Sequence, residues 1–202
     1  DRSGIIQFAL YRSDAREIER DGFAHGLNEL DSLRWWPRAT VRPRARSHLD
    51  RAHSRVLWQQ LLSLHWMGLL AISVGVVQRA AALADDYARQ RCQGGSRIVA
   101  HPAVQQLLVC ARSAHENTAR ALDGLNRRTF DMELLRALAQ LRSVSQSALS
   151  EGANSALQVF GGMGYMQDTG VEKCVRDCMQ LRLLAGTRCE LELFVSALEN
   201  AS

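Results

Sequence analysis

The sequence predicts a mainly α fold: an antiparallel up-and-down bundle of four long helices and one short one, preceded by a short β segment. From Ser54 onward, apolar residues recur at spacings of three and four. Glycine and proline punctuate that region at helix-length intervals, at Gly94-Gly95, Pro102, Gly124 and Gly161 to Gly164. The opening segment instead alternates and is rich in β-formers, with Pro37 and Pro43 within it. The division is set at 1–53 for a partial β-domain, the C-terminal half of one, and 54–202 for a helical bundle domain.

In the first segment, "GIIQFALYRS" reads as a strand, and "LNELDSLRWWP" and "RATVRPRA" as two further short strands around the prolines. A long helix covers Ser54 to Arg91. Its apolar stripe runs through Val56, Leu57, Leu61, Leu64, Leu69, Ile72, Val76, Ala80, Leu83 and Tyr87, and it ends at Gly94-Gly95. Pro102 opens a second helix, where its missing N–H is no loss, and Gly124 and Asn126 close it. Thr129 or Asp131 caps a third, through "MELLRALAQLRSVSQSALSEGANSALQVF". The glycine-rich turn follows, then a fourth helix from about Val171 to Leu184 and a short fifth after Thr187.

At 202 residues and 47% hydrophobic, the chain can bury a sizeable core, which excludes a disordered chain. Leu57 to Val77 is its most apolar stretch. Gln59, Gln60, Ser63, His65 and Ser73 interrupt it, so no membrane span is expected. The chain opens at Asp1 without a methionine or a signal-peptide pattern, which reads as a trimmed chain or a piece of a longer one. Five cysteines in no framework spacing fit a reducing cytoplasm. Cys174 and Cys178 share a helical face, but no histidine or second cysteine pair lies near to complete a metal site; they read as a helix seam. The net charge of +4 is carried almost wholly by arginine, Lys173 being the one lysine. Seven arginines between Arg34 and Arg55 flank Trp35 and Trp36. A nucleic-acid surface would use such residues, yet no binding motif accompanies them, and no nucleic-acid partner is expected.

Two stretches carry chemistry: "YARQRCQGGSRIVAHPAVQQLL" and "LQVFGGMGYMQDTGVEKCVRDCMQLRLLAGT". In this order and separation they resemble the C-terminal helical domain of the acyl-CoA dehydrogenase flavoproteins. Tyr87-Ala88 with Arg91, Gln158 with Phe160-Gly161-Gly162, and Val171-Glu172 with Arg176-Asp177 carry the match. The head of the chain looks like the second half of that family's small β-domain. The resemblance implies FAD as cofactor, an acyl-CoA substrate and a homologous subunit as partner, in a homo- or hetero-oligomer built through the bundle helices. It assigns Arg91 to the FAD diphosphate, with Gln93 beside it. It gives Gln158, Gly161 and Gly162 to the adenosine end of an FAD held mainly by the neighbouring subunit, and Thr187 to a contact after the catalytic corner. The physical chemistry agrees. A planar guanidinium matches a diphosphate, and glycine lets backbone approach because it lacks Cβ. As an N-cap residue type, Thr187 also has a purely structural use. Gly94 stands where the family has phenylalanine, and Cys189 where it has glutamine or glutamate.

The same resemblance exposes a loss. Desaturating an acyl thioester needs a base for the α-proton, and a buried carboxylate suits because burial raises its pKa. The family's usual Glu-Gly-Thr is here Ala185-Gly186-Thr187, and a methyl group accepts no proton. In some members the base sits on the long helix, at the position of His65, followed here by Trp66. Three readings follow: a subunit of a hetero-oligomeric dehydrogenase whose partner supplies the glutamate; a flavoenzyme using His65 or an oxidase- or monooxygenase-type reaction; or a non-catalytic scaffold on the dehydrogenase fold.

Overall fold

The computed structural model describes residues 7–10, 16–20, 33–37, 42, 45–125 and 129–200, with side chains at 42 and from 49 onward. Strands β1 (Gln7–Leu10) and β4 (Ala45–His48) pair antiparallel, as do β2 (Arg16–Arg20) and β3 (Leu33–Pro37). β2 was not anticipated, because its charged sequence REIER carries no alternating apolar signal. Most of the arginine-rich stretch lies outside the described side chains, as Asn126 lies outside the described residues.

Helix α1 (Arg51–Gln90) starts three residues before the expected Ser54, because Asp50 is its N-cap: its carboxylate accepts from the His53 amide at 2.9 Å. α1 ends at Gln90, ahead of Gly94-Gly95. Those glycines, at φ 62° and 83°, instead turn a hairpin between β5 (Cys92–Gln93) and β6 (Ser96–Arg97). Helices α2 (Pro102–Leu125), α3 (Met132–Val159), α4 (Val171–Leu181) and α5 (Arg188–Glu199) complete the bundle. Asp131 is the cap of α3, its carboxylate accepting from the Leu134 amide at 2.8 Å, while Thr129 donates its hydroxyl to Asp131 at 2.7 Å. α4 stops at Leu181, short of the expected Leu184.

α1 packs on α2, α3 and α4, and α5 packs on α3. The buried seam of α1 only partly follows the stripe its periodicity suggested, sharing Leu69 and Ala80 with it. Gln59, Ser63, Trp66, Leu70, Val77 and Ala80 are buried, whereas Val56, Leu61, Leu64 and Ile72 are exposed. The helix is apolar on almost every side, so spacing alone selects no face. For the same reason the expectation that α1 is too interrupted to cross a membrane needs correcting. An 18-residue window reaches a mean hydropathy of 1.7, long and apolar enough for a span by length and composition, with 28% of it buried.

Beside a small cluster of Val77, Leu149, Ala153 and Cys178, two larger clusters build the core. One, around Ala84, Ala88, Ile98, Leu108, Ala156 and Phe160, lies at the C-terminal end of α1; the other joins Trp66, Leu70, Leu122, Leu134, Leu138 and Leu191. At the α2–α3 crossing a Cβ on Gly152 would stand 2.8 Å from the Ala114 Cβ, so glycine sets the helix separation. Gly152→Ala is expected to destabilise by about 1–3 kcal/mol in urea titration. The Asp131 carboxyl is held below its ordinary 3.8 chiefly by the Leu134 amide. The capping contribution is therefore complete above that value and lost as pH falls through the folded pKa. Between about pH 5 and about pH 3 the wild-type denaturation midpoint should fall more steeply than that of Asp131→Asn.

Candidate functional site

At the C-terminal end of α1 the Arg91 amide still bonds the Tyr87 carbonyl at 2.9 Å, but its backbone is extended. The chain therefore peels away from the bundle into the β5–β6 hairpin, and the Ile98 amide returns to the Arg91 carbonyl at 2.9 Å. α3 ends at the same level. The Phe160 ring that follows stacks on Tyr87, with centroids 4.4 Å apart and planes 21° from parallel. Between hairpin and turn opens a cleft of about 730 Å³, to which Arg91, Gln93, Gln158, Gly161 and Gly162 all contribute. Five residues singled out in the sequence thus share one concavity. Arg91 is exposed and makes no ion pair among the described residues.

The glycines of the turn divide by role. Gly161, at φ 56°, and Gly162 have no atom within 4 Å of where a Cβ would sit, so their backbone is bare toward the open side. Gly164 is different: a Cβ there would stand 2.7 Å from the Leu157 carbonyl oxygen, so packing on α3 requires glycine. His101 was missed by the sequence reading. Its Nε2 lies 3.2 Å from the Gln93 carbonyl oxygen and 3.4 Å from Ser96 Oγ, bracing the hairpin that holds one wall of the cleft. Only its place before Pro102 could have signalled it.

The second feature is the corner between α4 and α5. Ala185, at φ 52°, is the one non-glycine residue at positive φ among the described residues, and Gly186 follows at φ 114°. Arg142 of α3 holds this turn from beneath. It is 1% exposed, and its guanidinium donates to the Leu184 carbonyl at 2.7 Å and the Ala185 carbonyl at 3.1 Å. The Trp66 indole N–H donates to the same Ala185 oxygen at 3.0 Å, and the guanidinium lies 5.8 Å from the Trp66 ring centroid. Burial pushes the Arg142 pKa down to about 10, which leaves it charged at neutral pH. Sequence reasoning passed over Arg142 because it sits in a polar-looking run, "LRSVSQS".

Thr187 is the N-cap of α5 in a capping box with Glu190: the Thr187 amide donates to Glu190 Oε2 at 2.8 Å. It does not join the Arg91 cleft. It borders another of about 330 Å³, with Gln146, Met179, Arg182, Arg188 and Cys189. His65 is exposed, and its neighbour Trp66 is the residue that reaches the corner. Glu172 pairs with Arg176 at 2.7 Å, and Lys173 with Asp177 at 2.6 Å, one turn apart on α4. Cys174 and Cys178 are buried, and burial raises both thiols, Cys178 to about 12; these are seam residues.

Residues 56–189 match the family model for the acyl-CoA dehydrogenase C-terminal domain. The chain belongs to the acyl-CoA dehydrogenase family. Similar proteins include the acyl-CoA dehydrogenase of Bacillus subtilis, 28% identical over 139 residues, covering 67% of this chain and 36% of that protein. The mitochondrial very long-chain specific acyl-CoA dehydrogenase of Rattus norvegicus is 30% identical over 135 residues, covering 64% and 20%. Among solved structures, butyryl-CoA dehydrogenase from Megasphaera elsdenii superposes with a TM-score of 0.77 at 15% identity, over 96% of this chain and 55% of that one. Acyl-CoA dehydrogenase from Geobacillus kaustophilus gives 0.80 at 16%, over 91% and 49%. The dehydrogenase fold of the bundle is thereby shown, and the chain spans a third or so of the Bacillus relative and about half of these solved chains.

Within this family member the corner is held through its backbone, which can be tested. Arg142→Met removes both charge-assisted bonds and should lower stability by about 1.5–3 kcal/mol in urea titration. Ala185→Gly relieves the left-handed strain and should raise it by about 0.5–1 kcal/mol.

Proposed function

We propose that this chain is a subunit or fragment of an FAD-dependent oxidoreductase that desaturates an acyl-CoA thioester between Cα and Cβ, with the catalytic base supplied by a homologous partner subunit. The observation that carries the reading is a corner kept in its strained geometry around a residue, Ala185, that accepts no proton.

The cleft at Arg91 fits part of a dinucleotide. An exposed guanidinium without a carboxylate partner among the described residues suits a diphosphate, and Gly161 and Gly162 leave open space where a Cβ would intrude. Gln93 and Gln158 add amide groups to the lining, and the Tyr87–Phe160 stack gives one apolar wall. When bound, FAD supplies the acceptor for the hydride leaving the substrate's β-carbon. This chain's part is to grip and orient: Arg91 neutralises diphosphate charge, the bare turn admits it, and His101 keeps the hairpin in place. Thr187 bounds a different cleft, which agrees with two half-sites, each completed by another chain.

Position 185 carries no carboxylate, and Glu190 in the same turn is engaged by the Thr187 amide and hydroxyl, so in this reading the α-proton leaves through a group from elsewhere. A relative named as a subunit of the caffeyl-CoA reductase-Etf complex of Acetobacterium woodii, 26% identical over 139 residues, supports an assembled form. Five free thiols fit a cytoplasmic setting. The test is co-purification with a homologous subunit bearing an intact Glu-Gly-Thr. The complex should carry a flavin absorption spectrum, and Arg91→Ala should weaken FAD binding by about tenfold or more. Turnover of an acyl-CoA by the chain alone, abolished by His65→Ala, would overturn the partner-borne base. Absence of flavin from both chain and complex would leave the scaffold reading.

A further inference from the structure

The cleft beside the α4–α5 corner holds donors that nothing in this chain uses. Thr187, the residue its motif points to, is spent: its amide and its hydroxyl both donate to Glu190 Oε2 at 2.8 Å. What the cleft of about 330 Å³ offers instead is two guanidiniums, those of Arg182 and Arg188, with no carboxylate in its lining. Arg182 reaches only the Met179 sulfur, at 3.8 Å, and makes no ion pair among the described residues. Arg188 gives its Nε to Glu192 at 2.7 Å and leaves its terminal nitrogens without a hydrogen bond among the described residues.

Gln146 of α3 is an independent sign of a ligand. It borders the same cleft and is 7% exposed, yet its Nε2 has no hydrogen-bond partner among the described residues. A buried amide donor left orphaned is costly, and an acceptor entering the cleft removes that cost. The amides of Arg188 and Cys189, first in α5, likewise have no carbonyl within their own helix to bond.

We infer that this cleft binds a phosphoryl group, with Gln146 Nε2 and the two guanidiniums on its oxygens. The N-terminus of α5 adds favourable partial charge from below. So many donors exceed what the two oxygens of a carboxylate accept. A phosphate monoester, with its charge of about −1.5 to −2 at neutral pH, balances the pair of arginines. Free phosphate and the phosphates of a nucleotide coenzyme share this chemistry. The inference depends neither on the flavin at Arg91 nor on a base borne by a partner.

The test is a thermal titration of the purified chain with inorganic phosphate, against sodium chloride at matched ionic strength. The Tm should rise with phosphate and follow a single-site curve. Combining Arg182→Met with Arg188→Met should weaken phosphate binding about tenfold or more, and Gln146→Leu about tenfold. Gln146→Leu should also raise the Tm of the ligand-free chain, because leucine removes the orphaned donor, so lost binding is kept apart from lost folding. An equal rise in chloride, an undiminished response in the double variant, or unchanged affinity in Gln146→Leu would each overturn the proposal. Arg91→Ala should leave phosphate affinity unchanged; loss there would move the anion to the other cleft and overturn it too. Coenzyme A and FAD then identify the carrier. Either one binding about tenfold tighter than phosphate, and losing that advantage in the double variant, names the source; neither doing so names free phosphate. Absent flavin with the phosphate response intact counts against the cofactor reading alone, and the reverse counts against this site alone.

Discussion

A buried guanidinium satisfied by two successive peptide carbonyls organises the functional end of this molecule. Arg142 faces no carboxylate in its hydrogen bonds; its partners are Leu184 and Ala185, with Trp66 donating to the second from the other side. Three donors on two oxygens tie α1, α3 and the α4–α5 turn together at one point. An uncompensated charge in that position would be expelled to solvent, so the turn and the arginine require one another. The left-handed backbone at Ala185 persists because that clamp over-determines it.

The other end of the bundle is built on shape. Alanines at 84 and 88 let neighbouring helices close in, and the Tyr87–Phe160 stack caps the cluster beneath the cleft. The hairpin with Gly94-Gly95 then projects from the last turn of α1 and returns through Ile98. Arg91 is thereby placed on a rigid rim beside the bare turn after α3. An edge of this kind owes its precision to the ends of two long helices.

Much of this was legible in the residues. The helices, their order, the Pro102 start and the Asp131 cap follow from period and capping chemistry, and five residues singled out in the sequence line one cleft. What escaped detection escaped for physical reasons. α1 is apolar on nearly all sides, so its period mixed exposed positions such as Leu61 with seam positions such as Leu69 and Ala80. Arg142 looked like one more solvated arginine, because nothing local announces a partner 42 residues away. β2 is too charged to read as a strand, and Gly94-Gly95 could as well have stopped a helix as turned a hairpin. Thr187, assigned by resemblance to a contact after the corner, borders a cleft separate from that of Arg91.

A corner secured by its peptide oxygens takes its hold on the bundle without using the side chain at position 185. Alanine and glutamate codons can differ by one base at the second position. A single base change can therefore place a carboxylate at position 185 without rebuilding the surrounding architecture.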